Sequence, residues 1–103
     1  MTHARRWSPD YLSALRKIPS EWLVNRIRST TTLLAGNPYM EPSIPVEGSI
    51  RAIDVENTAV LLYEIGPGSI LLFLSVDMYA PQAKIGGPRE TARKVLAELR
   101  ESI

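Results

Sequence analysis

The stretch from Gly48 to Asp77 reads GSIRAIDVENTAVLLYEIGPGSILLFLSVD, and it constrains the fold more than any other part of the chain. Three apolar runs, at 49–55, 59–65 and 70–77, are separated by Glu56-Asn57-Thr58 and by Gly66-Pro67-Gly68-Ser69. Runs of this length bounded by turn residues read as the strands of an antiparallel meander. Asn57 suits a left-handed turn position. The first strand alternates, with Ile50, Ala52 (or Ile53) and Val55 set against Arg51, Asp54 and Glu56. The other two are apolar on both faces, the pattern of strands covered from both sides. Such a sheet needs covers, and the flanking sequence supplies them.

Residues 2–7 (THARRW) predict a short first strand. Ser8-Pro9-Asp10 is a helix start, with Ser as N-cap, Pro at the first helical position and an acid in the first turn. Tyr11, Leu12, Leu15 and Ile18 follow at helical spacing, and Pro19 ends the helix. Ser20 caps a second helix that carries Leu23, Ile27 and Leu34, with Trp22 and Val24 beside them, up to Gly36 and Pro38. The short joint predicts an antiparallel hairpin, with Trp7 and Trp22 as packing anchors against the sheet. Residues 37–47 (NPYMEPSIPVE) hold three prolines and no period, and read as an ordered surface loop. Residues 81–88 read as a linker with a Gly86-Gly87 hinge. Pro88 then starts a last helix with Ala92, Val95, Leu96 and Leu99 in one stripe. The expected fold is α+β: a small antiparallel sheet packed on an N-terminal helical hairpin, plus a C-terminal helix. The 103 residues make one domain, 1–103, in which 86–103 is the helix after the hinge.

Composition excludes several classes. With no cysteine there are no disulfides and no thiolate metal sites. The longest uncharged apolar run, Ile70 to Val76, is far short of a transmembrane span, so no membrane partner is expected. No apolar segment follows Arg5 and Arg6 as in a secretory signal, and a cytoplasmic location is the default. A net charge of +1 argues against a strong non-specific nucleic-acid field, but it leaves room for a local basic patch. Arg5, Arg6, Arg16, Lys17, Arg26 and Arg28 make the first half basic, with Asp10 and Glu21 as the acids ahead of Glu41. That face either binds an acidic partner or is a solvated helix surface. No phosphate-loop, dinucleotide or zinc-protease motif occurs. His3 is alone, and neither a metal site nor a catalytic triad can be built on it.

The pattern SPDYLSALRKIPSEWLVNRI, then LLAGNP, then PVEGSIRAIDVENTAVLLYEIGPGSILLFLSVD resembles the RelE/ParE toxin superfamily. Gly48-Ser49-Ile50-Arg51 stands at the family's Gly-aromatic-Arg strand, and Leu62-Tyr63-Glu64-Ile65 at its Leu-Tyr-Glu-Ile strand. The resemblance covers residues 2 to about 80. It implies the toxin component of a bacterial toxin–antitoxin pair, with an antitoxin partner whose helix or strand covers the sheet groove. Ribonuclease members bind the ribosome and cut messenger RNA with a basic cluster on the concave sheet face. In this chain the third-strand arginine position falls on Val60, and the basic pair after the fourth strand falls on Asp77-Met78-Tyr79. Arg51 is the basic side chain left in that set. Phosphodiester cleavage needs cations for the growing charge. Two further readings therefore stand beside ribosome-dependent cleavage: a non-catalytic interaction module, and inhibition of DNA gyrase in the ParE manner.

The candidate catalytic residues are Arg51, Asp77 and Tyr79. Arg51 would bind phosphate, or else lie solvated on the polar face of an edge-like strand beside Asp54 or Glu56. Asp77 would be a base or a strand-end turn residue. Tyr79 would be a general acid, a stacking residue or a cover for the core edge. Arg5, Arg6, Arg51 and Lys84 are the candidates for RNA or partner binding. No cofactor and no metal are expected.

Overall fold

The computed structural model describes residues 2–78 and 87–101. These form strand β1 (Ala4–Trp7), helices α1 (Pro9–Arg16) and α2 (Glu21–Gly36), strands β2 (Ile44–Glu47), β3 (Ile50–Val55), β4 (Ala59–Gly66) and β5 (Ile70–Met78), and helix α3 (Gly87–Glu101). The strands make one sheet in the order β1-β5-β4-β3-β2. β1 runs parallel to β5, and the other neighbours are antiparallel. The architecture is α+β with a mixed sheet. Residues 81–86 of the predicted linker, hinge residue Gly86 among them, lie outside the described residues, while Gly87 and Pro88 open α3.

Local chemistry sets the element boundaries. The Ser8 backbone N–H donates to the Phe73 carbonyl at 3.0 Å, which prolongs the β1–β5 pairing by one bond. Its hydroxyl accepts from the Tyr11 N–H at 3.0 Å and donates to the Leu74 carbonyl at 2.8 Å. One serine thus ends a strand, caps a helix and ties both to the sheet. Ser20 caps α2 by accepting from the Leu23 N–H. In the turn between β3 and β4, Glu56 and Asn57 both have positive φ, and the Asp54 carboxylate accepts from the Asn57 N–H.

The two faces of the sheet bury separate clusters. Tyr11 and Leu15 of α1 and Leu23, Ile27 and Leu34 of α2 pack on Ile53, Val55, Leu61, Tyr63, Leu71, Phe73 and Val76. Ala92, Val95 and Leu96 of α3 pack on Ala52, Val60 and Leu62 of the opposite face. The β4–β5 register shifts between Leu62 and Tyr63, which leaves Leu74 as an extra residue on β5. This bulge lets Phe73 and Val76 share a face although they are three residues apart.

Three expectations need correction. Residues 44–47 are not loop but edge strand β2; Pro45 sits opposite Arg51 on the sheet margin, where a residue without an N–H is tolerated. β2 makes β3 an inner strand, so Ile50 and Ala52 turn toward α3 while Ile53 and Val55 turn toward α1 and α2. Trp22 is no core anchor, being 58% exposed. Trp7 does pack: it stacks on Tyr11 and Phe73 at centroid distances of 5.5 and 5.1 Å.

Candidate functional site

Arg51 lies on the α1/α2 side of the sheet, opposite Tyr63 in register. Its Nε donates to the Ser43 hydroxyl at 2.9 Å and its Nη2 to the Ser43 carbonyl at 3.3 Å. Its guanidinium lies 4.9 Å from the centre of the Tyr39 ring. Tyr63 is fully buried, and its hydroxyl bonds both to Ser43 Oγ and to the Pro38 carbonyl. A carbonyl only accepts, so the one phenolic proton goes to Pro38 and the Ser43 hydroxyl must donate to Tyr63. The result is a directed chain, Arg51 to Ser43 to Tyr63 to Pro38, that fastens the segment 38–43 onto the sheet. Burial pushes the Tyr63 phenol above its usual range, while the Ser43 and Arg51 hydrogen bonds pull it back. The acids once paired with Arg51 in prospect are engaged elsewhere. Glu56 accepts from Arg26 Nε and Nη2 at 2.9 and 2.6 Å, and Asp54 caps its turn.

Asp77 lies at the other margin of the molecule. β1 pairs with β5 only at 70–73, so among the described residues the outer edge of β5 beyond Phe73 has no strand beside it. α1 and α3 flank that edge and enclose a groove of about 490 Å³. Asp10 and Ser13 come from α1 and Lys17 from its C-cap, Ser75, Asp77 and Met78 from β5, and Val95, Glu98 and Leu99 from α3. Partial burial pushes the Asp77 carboxyl above the usual range; the Met78 backbone N–H lowers it, Glu98 raises it and Lys94 lowers it. Asp77 keeps an exposed edge, so water screens part of these effects.

The structure does not bring Arg51 and Asp77 together: one anchors a loop on the α1/α2 side, the other borders α3. Arg5 and Arg6 follow each other on β1 and point to opposite faces. Arg5 Nη1 donates to the Thr31 and Thr32 hydroxyls of α2 at 3.2 and 3.0 Å. Tyr79 and Lys84 lie outside the described residues. Val60, at the third-strand arginine position, is buried beneath α3. Among the described residues no group of three or more His, Asp or Glu is placed to hold a metal. Ser43 and Tyr39, which hold Arg51, were not singled out in the sequence. The signal available was a proline-rich segment ahead of a strand arginine.

Neither a family model nor a curated protein matches the sequence. Solved structures do. A chain of the RelBE2 toxin–antitoxin complex from Mycobacterium tuberculosis superposes with a TM-score of 0.65 at 19% identity, over 77% of this chain and 100% of that one. A mutant of the Escherichia coli toxin RelE in the free state gives 0.65 at 13% identity, over 88% and 97%. A chain of the E. coli DinJ–YafQ toxin–antitoxin complex gives 0.60 at 20% identity, over 76% and 93%. The chain has the RelE-like fold. Within the RelE-like frame, α1 and α2 occupy one face and α3 the other. The Asp77 groove opens along the β5 margin between them.

Proposed function

We propose that the chain is the toxin component of a bacterial toxin–antitoxin pair. The observation that carries this reading is the fold itself, which matches RelE and a RelBE2 chain over 97% and 100% of their lengths. An antitoxin is the proposed partner. Its docking place is the open edge of β5, where a strand or helix would find unpaired backbone groups between α1 and α3. Asp10, Asp77 and Glu98 on the rim favour a segment carrying arginine or lysine. Ribosome-dependent cleavage of messenger RNA is the target chemistry implied by the resemblance. It would need phosphate on Arg51 and proton transfer on Asp77 and Tyr79, and it would require Arg51 to leave Ser43 and approach Asp77.

A second reading is favoured by a separate observation. The α3 face presents Ala52, Val60 and Leu62 rather than cations, and Arg51 is spent on Ser43 and Tyr39. A chain built this way acts by occupying a protein partner, without cleavage. Induced expression in a bacterial host separates the two. Growth arrest with cleaved messenger RNA, relieved by co-expression of the neighbouring gene product, supports the nuclease. Arrest without cleavage supports a protein target, and relaxed or cleaved DNA in a supercoiling assay would make that target gyrase. Unimpaired growth with soluble protein rejects the toxin reading.

A further inference from the structure

On the face away from α3, β1 and the two N-terminal helices enclose a second cleft of about 440 Å³. Arg5, Trp7, Tyr11 and Leu12 line it, with Arg28 and Thr32 on the α2 side. Neither Arg5 nor Arg28 has a carboxylate within ion-pair distance among the described residues. Arg5 is held by the Thr31 and Thr32 hydroxyls. Arg28 is exposed, and its side chain makes no hydrogen bond there. Tyr11 is 2% exposed and lines the cleft, close enough to both arginines for their charge to lower its phenol against the raising effect of burial. Its hydroxyl makes no hydrogen bond among the described residues and is not one of the buried unpartnered polar atoms, so it opens to solvent in the cleft. Trp7 stands at the mouth, 41% exposed, its ring stacked on Tyr11 and Phe73 and 5.3 Å from the Arg5 guanidinium.

We propose that this cleft binds a nucleotide unit, with Arg28, Arg5 and the Tyr11 hydroxyl taking the phosphate and the Trp7 indole taking the base. Two guanidinium groups without a carboxylate partner and the Tyr11 hydroxyl line one cleft, the donor set that an oxyanion uses. The indole is already immobilised from below, so stacking costs little further ordering, and an aromatic platform beside arginine suits any base. The volume lies within the ordinary range for small-ligand sites, about 300–1,000 Å³. An acidic peptide would use the cations but has no need of a rigid flat ring. The net charge of +1 confines the attraction to the cleft rather than the whole surface. This site is independent of the toxin reading, since none of its lining residues borders the Asp77 groove or holds Arg51.

The test uses the full chain carrying Trp22→Phe, which leaves Trp7 as the single indole. Its fluorescence is titrated with adenosine 5′-monophosphate, inorganic phosphate and a hexa-adenylate RNA. The expected result is saturable quenching by the nucleotide. Phosphate should bind about tenfold more weakly, for want of the stacking contribution. Arg28→Ala should raise Kd about tenfold. Tyr11→Phe, checked for native near-ultraviolet circular dichroism, should raise it a few-fold. Equal affinity for mononucleotide and hexamer identifies a free nucleotide as the ligand; a much tighter hexamer identifies a unit of a single strand. The proposal is overturned if neither quenches saturably, if phosphate binds as well as the nucleotide, or if Arg28→Ala leaves Kd unchanged. A polyglutamate peptide binding where the nucleotide does not would overturn it too.

Discussion

Arg51 Nε donates to the Ser43 hydroxyl across 2.9 Å, and this single contact links an inner strand to the segment that precedes β2. Ser43 passes the polarity on to Tyr63, whose buried hydroxyl ends on the Pro38 carbonyl. Chains of hydrogen bonds oriented in one direction reinforce each other, and an interruption leaves a buried group unsatisfied. Arg51→Ala should therefore destabilise the fold by about 1–3 kcal/mol, by losing charge-assisted bonds to Ser43 and the contact with Tyr39. Urea unfolding checks this. Unchanged stability would mean that the guanidinium is free for phosphate.

Ser8 offers a second local test. Its hydroxyl joins the α1 N-terminus to the Leu74 carbonyl at the β5 bulge. Ser8→Ala removes a helix cap and a tie to the sheet together, and should cost about 1–2 kcal/mol. Ser8→Asp keeps the cap acceptor but cannot donate to Leu74, so its loss should be intermediate. Thermal unfolding of both variants measures the split. Equal stability of Ser8→Ala and the parent would contradict it.

The cluster under α3 is much smaller than the one under α1 and α2. Leu96→Ala should weaken α3 packing by about 2–3 kcal/mol. Because α3 is attached to the rest of the described chain by that cluster and by the exposed Arg100–Glu47 ion pair, the loss should appear as local opening. Hydrogen exchange is expected to accelerate in α3 while β4 and β5 amides stay protected. Uniform acceleration through the sheet would show that α3 is part of the global folding unit.

Asp77 sets the sign of one pH effect. Its folded carboxyl lies above its ordinary value, chiefly through burial. The native state therefore holds more proton than the unfolded chain in the window just above 3.8, and stability falls as pH rises through it. Above the window the ionised carboxylate remains a standing cost, softened by its exposed edge. Asp77→Asn should be slightly more stable than the parent near pH 7 and indistinguishable from it near about pH 3. Urea midpoints at the two pH values check this. A neutral-pH loss of stability in Asp77→Asn would show that its anion is favourably paired.

Much of the architecture was legible because its signals are local. Ser8-Pro9 and Ser20 announce helix starts, and Glu56-Asn57-Thr58 and Gly66-Pro67-Gly68-Ser69 announce turns; all four act within a few residues of themselves. β2 was not legible, because Pro45 and a four-residue run carry no strand signal until the β3 edge is there to pair with. That omission also made β3 look like an edge and Arg51 look solvated. Trp22 reads as core by its size alone, yet α2 presents Leu23, Ile27 and Leu34 to the sheet and leaves it outside. The Arg51 chain joins residues 38, 43, 51 and 63, and the Asp77 groove joins α1, β5 and α3. Separations of that kind are set by tertiary packing, which no periodicity records.

The measurement that bears most directly on the toxin reading is bacterial growth after induced expression of the full chain, with and without the neighbouring gene product. The account predicts arrest by the chain alone and recovery when the partner is present. Unimpaired growth with the folded chain abundant and soluble would contradict it.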